Sequence, residues 1–125
     1  MSTILLLEDD ESMRRLLGMV VGMAGHDVTE AADGEAAIAL LTSGCKVDLV
    51  ICDLMMWGMN GLRFLRWLRA SPYSRTRVLV VTGMDTAEMR ERALEAGADD
   101  VMPKPVKADA LKARIAALLN PPAPA

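Results

Sequence analysis

Apolar positions along the chain alternate between short unbroken runs and recurrences three and four residues apart. Residues 3–7 form an apolar run too brief for a helix, and Asp10 or Glu11 stands where a cap would open the next segment. There Met13, Leu16, Leu17, Val20, Val21 and Ala24 recur at helical spacing, which places Arg14 and Arg15 outside, and Gly25 ends the helix. Asp27 to Ala31 is a weak strand. Asp33-Gly34 leads into an Ala-rich helix that closes near Ser43-Gly44. Val47 to Cys52 predicts a buried strand, Asp53 to Asn60 a loop, and Gly61 to Ala70 a helix stopped by Ser71-Pro72. A strand follows at Arg77 to Val81, then a helix from about Thr86 to Ala96, and Gly97-Ala98 turns into a short strand at Asp100 to Pro103. Leu111, Ile115 and Leu118 mark the core face of a last helix.

Strands alternating with helices imply right-handed crossovers and a parallel sheet covered on both faces, an α/β doubly wound fold. The continuous apolar character of the first, third and fourth strands fits burial on both sides. Residues 1–119 then form one domain, and Asn120 with the Pro/Ala-rich end, residues 121–125, reads as a tail or a truncated linker.

Composition narrows the classes. Aromatics are only 3% of residues, so the core must be built from Leu, Val, Ile, Ala and ten Met. A net charge of −3 and the lack of a visible basic stripe argue against direct nucleic-acid binding. No run approaches a membrane span and Met-Ser-Thr is not the start of a signal peptide, so a cytoplasmic protein is expected. Cys45 and Cys52 lack metal-site spacing and read as reduced thiols. His26, the only histidine, reads as a solvated turn residue.

The chemistry collects at strand ends. Leu5-Leu6-Leu7 runs into Glu8-Asp9-Asp10, Leu49-Val50-Ile51-Cys52 into Asp53, and Val78-Leu79-Val80-Val81 into Thr82-Gly83, while Lys104 precedes Pro105 after the fifth strand. In a parallel sheet these ends share one edge, where open α/β folds bind ligands. Acids, a hydroxyl and an ammonium would then meet in one cleft. Taken singly, each has a plainer explanation: an acidic doublet caps a helix, a lysine on a loop is a solvated charge, and a threonine suits a strand.

Taken together, ILLLEDDESMRR, VICDLMMWGMNG, VLVVTGM and GADDVMPKP resemble the receiver domain of bacterial two-component response regulators over residues 3–119. The resemblance implies a (βα)5 flavodoxin-like fold with strand order 2-1-3-4-5, and a signalling switch rather than an enzyme. By it Asp53 is the phosphoacceptor. Mg²⁺ is held by Asp9 directly, Glu8 through a water, Asp53 and the backbone carbonyl of Met55. Thr82, the Gly83 N–H, Lys104 and Met55 meet the phosphoryl group, and Pro105 follows a cis bond that holds the loop against the site. The implied partners are a sensor histidine kinase or histidine phosphotransfer protein upstream and a protein target or fused output domain downstream. Phosphorylation would alter the surface of the fourth helix, fifth strand and fifth helix, in a monomer or a phosphorylation-dependent dimer.

Several positions depart from the family pattern. Trp57 stands for the usual Pro, Asn60 for Asp, and Val101 where many receivers carry an aromatic ring that turns inward. Met55 and Met84 border the approach of hydrolytic water. A thioether orients water poorly, so slow self-dephosphorylation is expected. A phosphatase with an aspartyl nucleophile would need a second acid where Met55 stands. A flavodoxin-like redox protein would need a phosphate-cradling loop where the acids lie. A pseudo-receiver that binds partners without phosphorylation is the alternative, but Asp9, Asp53, Thr82 and Lys104 are all present.

Overall fold

A computed structural model describes residues 2–54, 60–83 and 86–120. The expected alternation is observed: β1 (Thr3–Leu7), α1 (Glu11–Met23), β2 (Asp27–Ala31), α2 (Gly34–Thr42), β3 (Leu49–Asp53), α3 (Gly61–Arg69), β4 (Arg77–Thr82), α4 (Ala87–Ala96), β5 (Asp100–Pro103) and α5 (Ala108–Leu119). The five strands form one parallel sheet in the order β2-β1-β3-β4-β5.

Polar residues set the helix starts. The carboxylates of Asp10 and Asp33, the Asn60 amide oxygen and the Thr86 hydroxyl each accept the backbone N–H three residues on, from Met13, Ala36, Arg63 and Met89. Such caps stabilise a helix by about 1 kcal/mol each. Only α5 opens without one, at Lys107. β3 begins two residues later than the apolar run suggested. Ahead of it Asp48 is tied to Thr3 twice, by its N–H to the Thr3 carbonyl and by its carboxylate to the Thr3 N–H, both at 2.8 Å.

Side-chain alternation divides the core into two layers on either side of the sheet. Leu5, Leu7, Val50, Cys52, Val78, Val80 and Val101 face α2, α3 and α4, where Phe64, Leu65 and Leu68 supply the bulk. Ile4, Leu6, Leu49, Ile51, Leu79, Val81 and Met102 face α1 and α5, against Leu17, Val21, Leu111 and Ile115. Central β3 is buried along its whole length, whereas edge strand β2 is mostly polar. Covering both faces of the sheet leaves the strand ends as the place where polar groups can gather. Among the described residues, no helix is long and apolar enough to cross a membrane.

Two expectations about single residues need correcting. Arg15 lies outside and pairs with Glu11, but Arg14 has a side chain only 19% exposed and folds back over the end of β1. His26 is half-buried rather than solvated. Its Nδ1 is shielded from solvent and has no hydrogen-bond partner among the described residues.

Candidate functional site

The parallel order β1-β3-β4-β5 delivers the sequence-predicted groups to one edge. Register pairs Leu7 with Cys52, so the next residues out, Glu8 and Asp53, emerge side by side. Asp53 lies opposite Val81, and Thr82 opposite Pro103, which brings Thr82 and Lys104 onto the same rim. The Lys104 N–H donates to the Thr82 carbonyl at 2.8 Å, and the Lys104-Pro105 bond is cis.

Carboxylate oxygens of Glu8, Asp9 and Asp53 all lie within 4.8 Å of one another. Glu8 and Asp53 are only 2% and 6% exposed, and Thr82 is fully buried. The Lys104 ammonium donates to Glu8 Oε2 at 3.1 Å and to Asp53 Oδ2 at 3.0 Å. Burial, and then the charge of Asp53, push the Glu8 carboxyl above the ordinary carboxylate value, with Lys104 opposing both. Burial alone would lower Lys104, but its hydrogen bonds to Asp53 and Glu8 outweigh that and carry the ammonium above its usual value. Lys104 contacts two of the three crowded acids, and such a cluster of carboxylates favours any further cation that can enter.

The donor set fits a hard divalent ion. Carboxylate oxygens suit Mg²⁺, Mn²⁺ or Ca²⁺, and the rim offers neither imidazole nor an ionised thiol for a softer metal. Cys52 is fully buried, and burial followed by the charges of Asp53 and Glu8 drives its thiol far above the ordinary range. Cys45 is also free. Met55, expected to offer a carbonyl, lies outside the described residues, as do Trp57 and Met84. Asn60 takes no part in the acid cluster and serves as the N-cap of α3.

One glycine packs against the backbone of Asp53. A Cβ on Gly61 would lie 2.4 Å from the Asp53 carbonyl oxygen and 2.7 Å from Leu54 Cα, and the Gly61 N–H donates to the Leu54 carbonyl. The first turn of α3 thus packs directly on the backbone of Asp53 and Leu54, a closeness only glycine permits. Away from this rim, a concavity of about 650 Å³ between α3 and α4 is lined by Arg66, Arg69, Arg92 and Glu95.

Comparison with known proteins agrees with this geometry. The family model described as response regulator receiver domain matches residues 4–116. The transcriptional regulatory protein CpxR of Klebsiella pneumoniae is 41% identical over 120 residues, which is 96% of this chain and 50% of that protein. A cyclic di-GMP phosphodiesterase of Thermotoga maritima is 36% identical over 90% of this chain but 30% of its own length. The chain therefore spans half or less of these relatives. Among solved structures, the receiver domain of Francisella response regulator 1452 superposes with a TM-score of 0.88 at 28% identity, covering 95% of this chain and 97% of that one.

Proposed function

The chain belongs to the response regulator receiver family, and from that premise we propose that it accepts a phosphoryl group on Asp53 from a phosphohistidine of a sensor kinase or phosphotransfer protein. The observation that carries this reading is the convergence of Glu8, Asp9 and Asp53 within 4.8 Å, with Lys104 bridging Glu8 and Asp53. An Asp53 oxygen bonds to phosphorus as the N–P bond of the donor breaks, and the imidazole leaves with the electron pair. Lys104, already on Asp53, meets the incoming phosphoryl oxygens as a flexible point charge, with Thr82 and the Gly83 N–H completing the rim. Asp9, Asp53 and the Met55 carbonyl would hold Mg²⁺ directly and Glu8 through a water, and the ion would supply the positive charge that lets the two anions approach.

Residues 1–119 act as the receiver unit, working in the cytoplasm as a switch. Its signal leaves through the surface of α4, β5 and α5 to a protein target or a fused output domain. Val101 is fully buried against the α2-α3-α4 layer, so its short side chain has no exposed position from which to swing. Coupling runs instead from Thr82 and Gly83 into the start of α4.

Acetyl phosphate or a phosphorylated kinase with Mg²⁺ is expected to label the wild type and leave Asp53→Asn unlabelled. The wild-type label decays slowly once donor is removed. Label persisting on Asp53→Asn would move the site to another carboxylate, labelling unaffected by chelator would remove the metal from the reaction, and a wild type that takes no label from either donor would favour a binding module that works without phosphorylation.

A further inference from the structure

Arg14 stands in the second turn of α1, and its guanidinium joins two groups that are separated in sequence. Nη1 donates to the Glu8 carbonyl oxygen at 2.8 Å, and Nε lies 3.3 Å from Glu30 Oε1 on β2. The rest of Glu8 is equally engaged. Its N–H donates to the Ala31 carbonyl at 3.2 Å, Oε1 accepts the Asp10 N–H at 3.3 Å, and Oε2 accepts Lys104. The Glu8 carbonyl belongs to the same peptide plane as the Asp9 N–H. Fixing that plane fixes where Asp9 N and Cα lie, which leaves only rotation about the N–Cα bond and within the side chain to aim the carboxylate.

We propose that Arg14 is a positioning residue for the divalent-cation site: it clamps the Glu8-Asp9 peptide so that both carboxylates are aimed before the ion arrives, and Glu30 holds the clamp from behind. The proposal deepens the reading of the acid cluster as a Mg²⁺ site and rests on it. Two effects of the guanidinium oppose each other. Its charge, close to the cluster, repels an incoming cation, whereas its hydrogen bond preorganises the ligands. Glu30 compensates the charge, and the donor geometry is spent on a carbonyl rather than on a ligand carboxylate, so preorganisation wins.

The signs of the two effects make the test decisive. Mg²⁺ affinity of the whole chain is measured by calorimetric titration, and phosphorylation of Asp53 by acetyl phosphate is followed across Mg²⁺ concentrations. Arg14→Gln is expected to weaken Mg²⁺ binding about tenfold, the lower end for an outer-shell partner, while the rate at saturating Mg²⁺ returns to near that of the wild type. Arg14→Lys keeps the charge but loses the fork and does not rescue affinity. Glu30→Gln, at a half-exposed position that tolerates substitution, weakens binding about twofold to threefold in the same direction. Unchanged or tighter binding in Arg14→Gln overturns the clamp, as does a rate that stays low at saturation. Should Arg14→Gln not fold, unchanged binding in Glu30→Gln overturns it. A wild type that binds no Mg²⁺ overturns instead the metal-site reading on which the clamp rests.

Discussion

The two ends of the sheet use ionic groups in opposite ways. At the C-terminal edge three carboxylates crowd within 4.8 Å and one ammonium touches two of them. At the N-terminal edge the single guanidinium of Arg69 closes a network. Its Nε and Nη2 donate to the Gly97 carbonyl at 3.0 and 2.6 Å, Nη1 to the carbonyls of Ser74 and Thr76 at 2.8 and 2.6 Å, and Nη2 to Asp99 Oδ2 at 3.1 Å. The same Asp99 oxygen accepts the Val78 N–H at 2.7 Å. The α3-β4 and α4-β5 connections are thereby fastened together by a side chain from α3. One edge is matched, donor to acceptor, and serves the fold. The other gathers three carboxylates on one rim and, on the proposed reading, serves a ligand that comes and goes.

The difference predicts effects of opposite sign. Arg69→Met leaves three backbone carbonyls without their cationic donor and Asp99 with the more distant Arg77, at 3.8 Å, and is expected to lower unfolding free energy by about 3 kcal/mol. The site lies at the far edge, so the rate of Asp53 phosphorylation should stay within about twofold of the wild type. Urea titration together with the labelling assay checks both. A stability change below about 1 kcal/mol would mean that water replaces the guanidinium and the network is not closed.

At the other edge, removing a charge should help the fold. Asp53→Asn relieves the repulsion that raises the Glu8 carboxyl, and its side-chain oxygen can still accept from Lys104. In chelator the variant is expected to be about 1–2 kcal/mol more stable than the wild type. Mg²⁺ should then stabilise the wild type more than the variant and narrow or reverse the gap, since only a ligand that binds the native state shifts the equilibrium. Thermal melts with and without Mg²⁺ measure this, and a variant less stable in chelator would show that Lys104 already compensates the acids in full.

Sequence reasoning reached these two edges unequally. Glu8, Asp9, Asp53, Thr82 and Lys104 were legible because each ends or follows an apolar strand, and a parallel sheet carries such positions to one rim. Arg69 was not. It closes a helix, where a basic residue often answers the dipole, but its partners lie up to 30 residues further on, and nothing in the local pattern encodes that reach. Arg14 was misplaced for a related reason. Periodicity assigns a Cα to a helix face, whereas a long side chain can leave that face and return to backbone six residues earlier. From Leu54 to Met84 the chain carries five arginines and no acid, a bias visible in the sequence, but the pairing of Arg69 and Arg77 with Asp99 emerges only when β4 and β5 lie side by side.

The smallest expected effects come from the two thiols, which report separately on the two edges. Cys45 lies half-buried in the turn before β3, and Cys52 lies fully buried one residue before Asp53. An alkylating reagent should modify Cys45 in the native protein and reach Cys52 only through opening. If the charge-crowded edge is the softer one, Mg²⁺ slows Cys52 modification more than it slows global unfolding, because local opening costs less than unfolding the whole chain. The pH dependence has a defined sign. Burial holds the Cys52 thiol above its ordinary value of 9.0, so in alkali the unfolded chain loses this proton while the native chain keeps it. Its contribution is intact below pH 9.0 and is lost progressively as pH rises above that value. Cys52→Ala, compared with the wild type by urea titration between pH 8 and about 9.5, should remove that slope. An identical slope in both would assign the alkaline loss to other groups, and Cys52 modification insensitive to Mg²⁺ would show that the acid cluster is no softer than the edge fastened by Arg69.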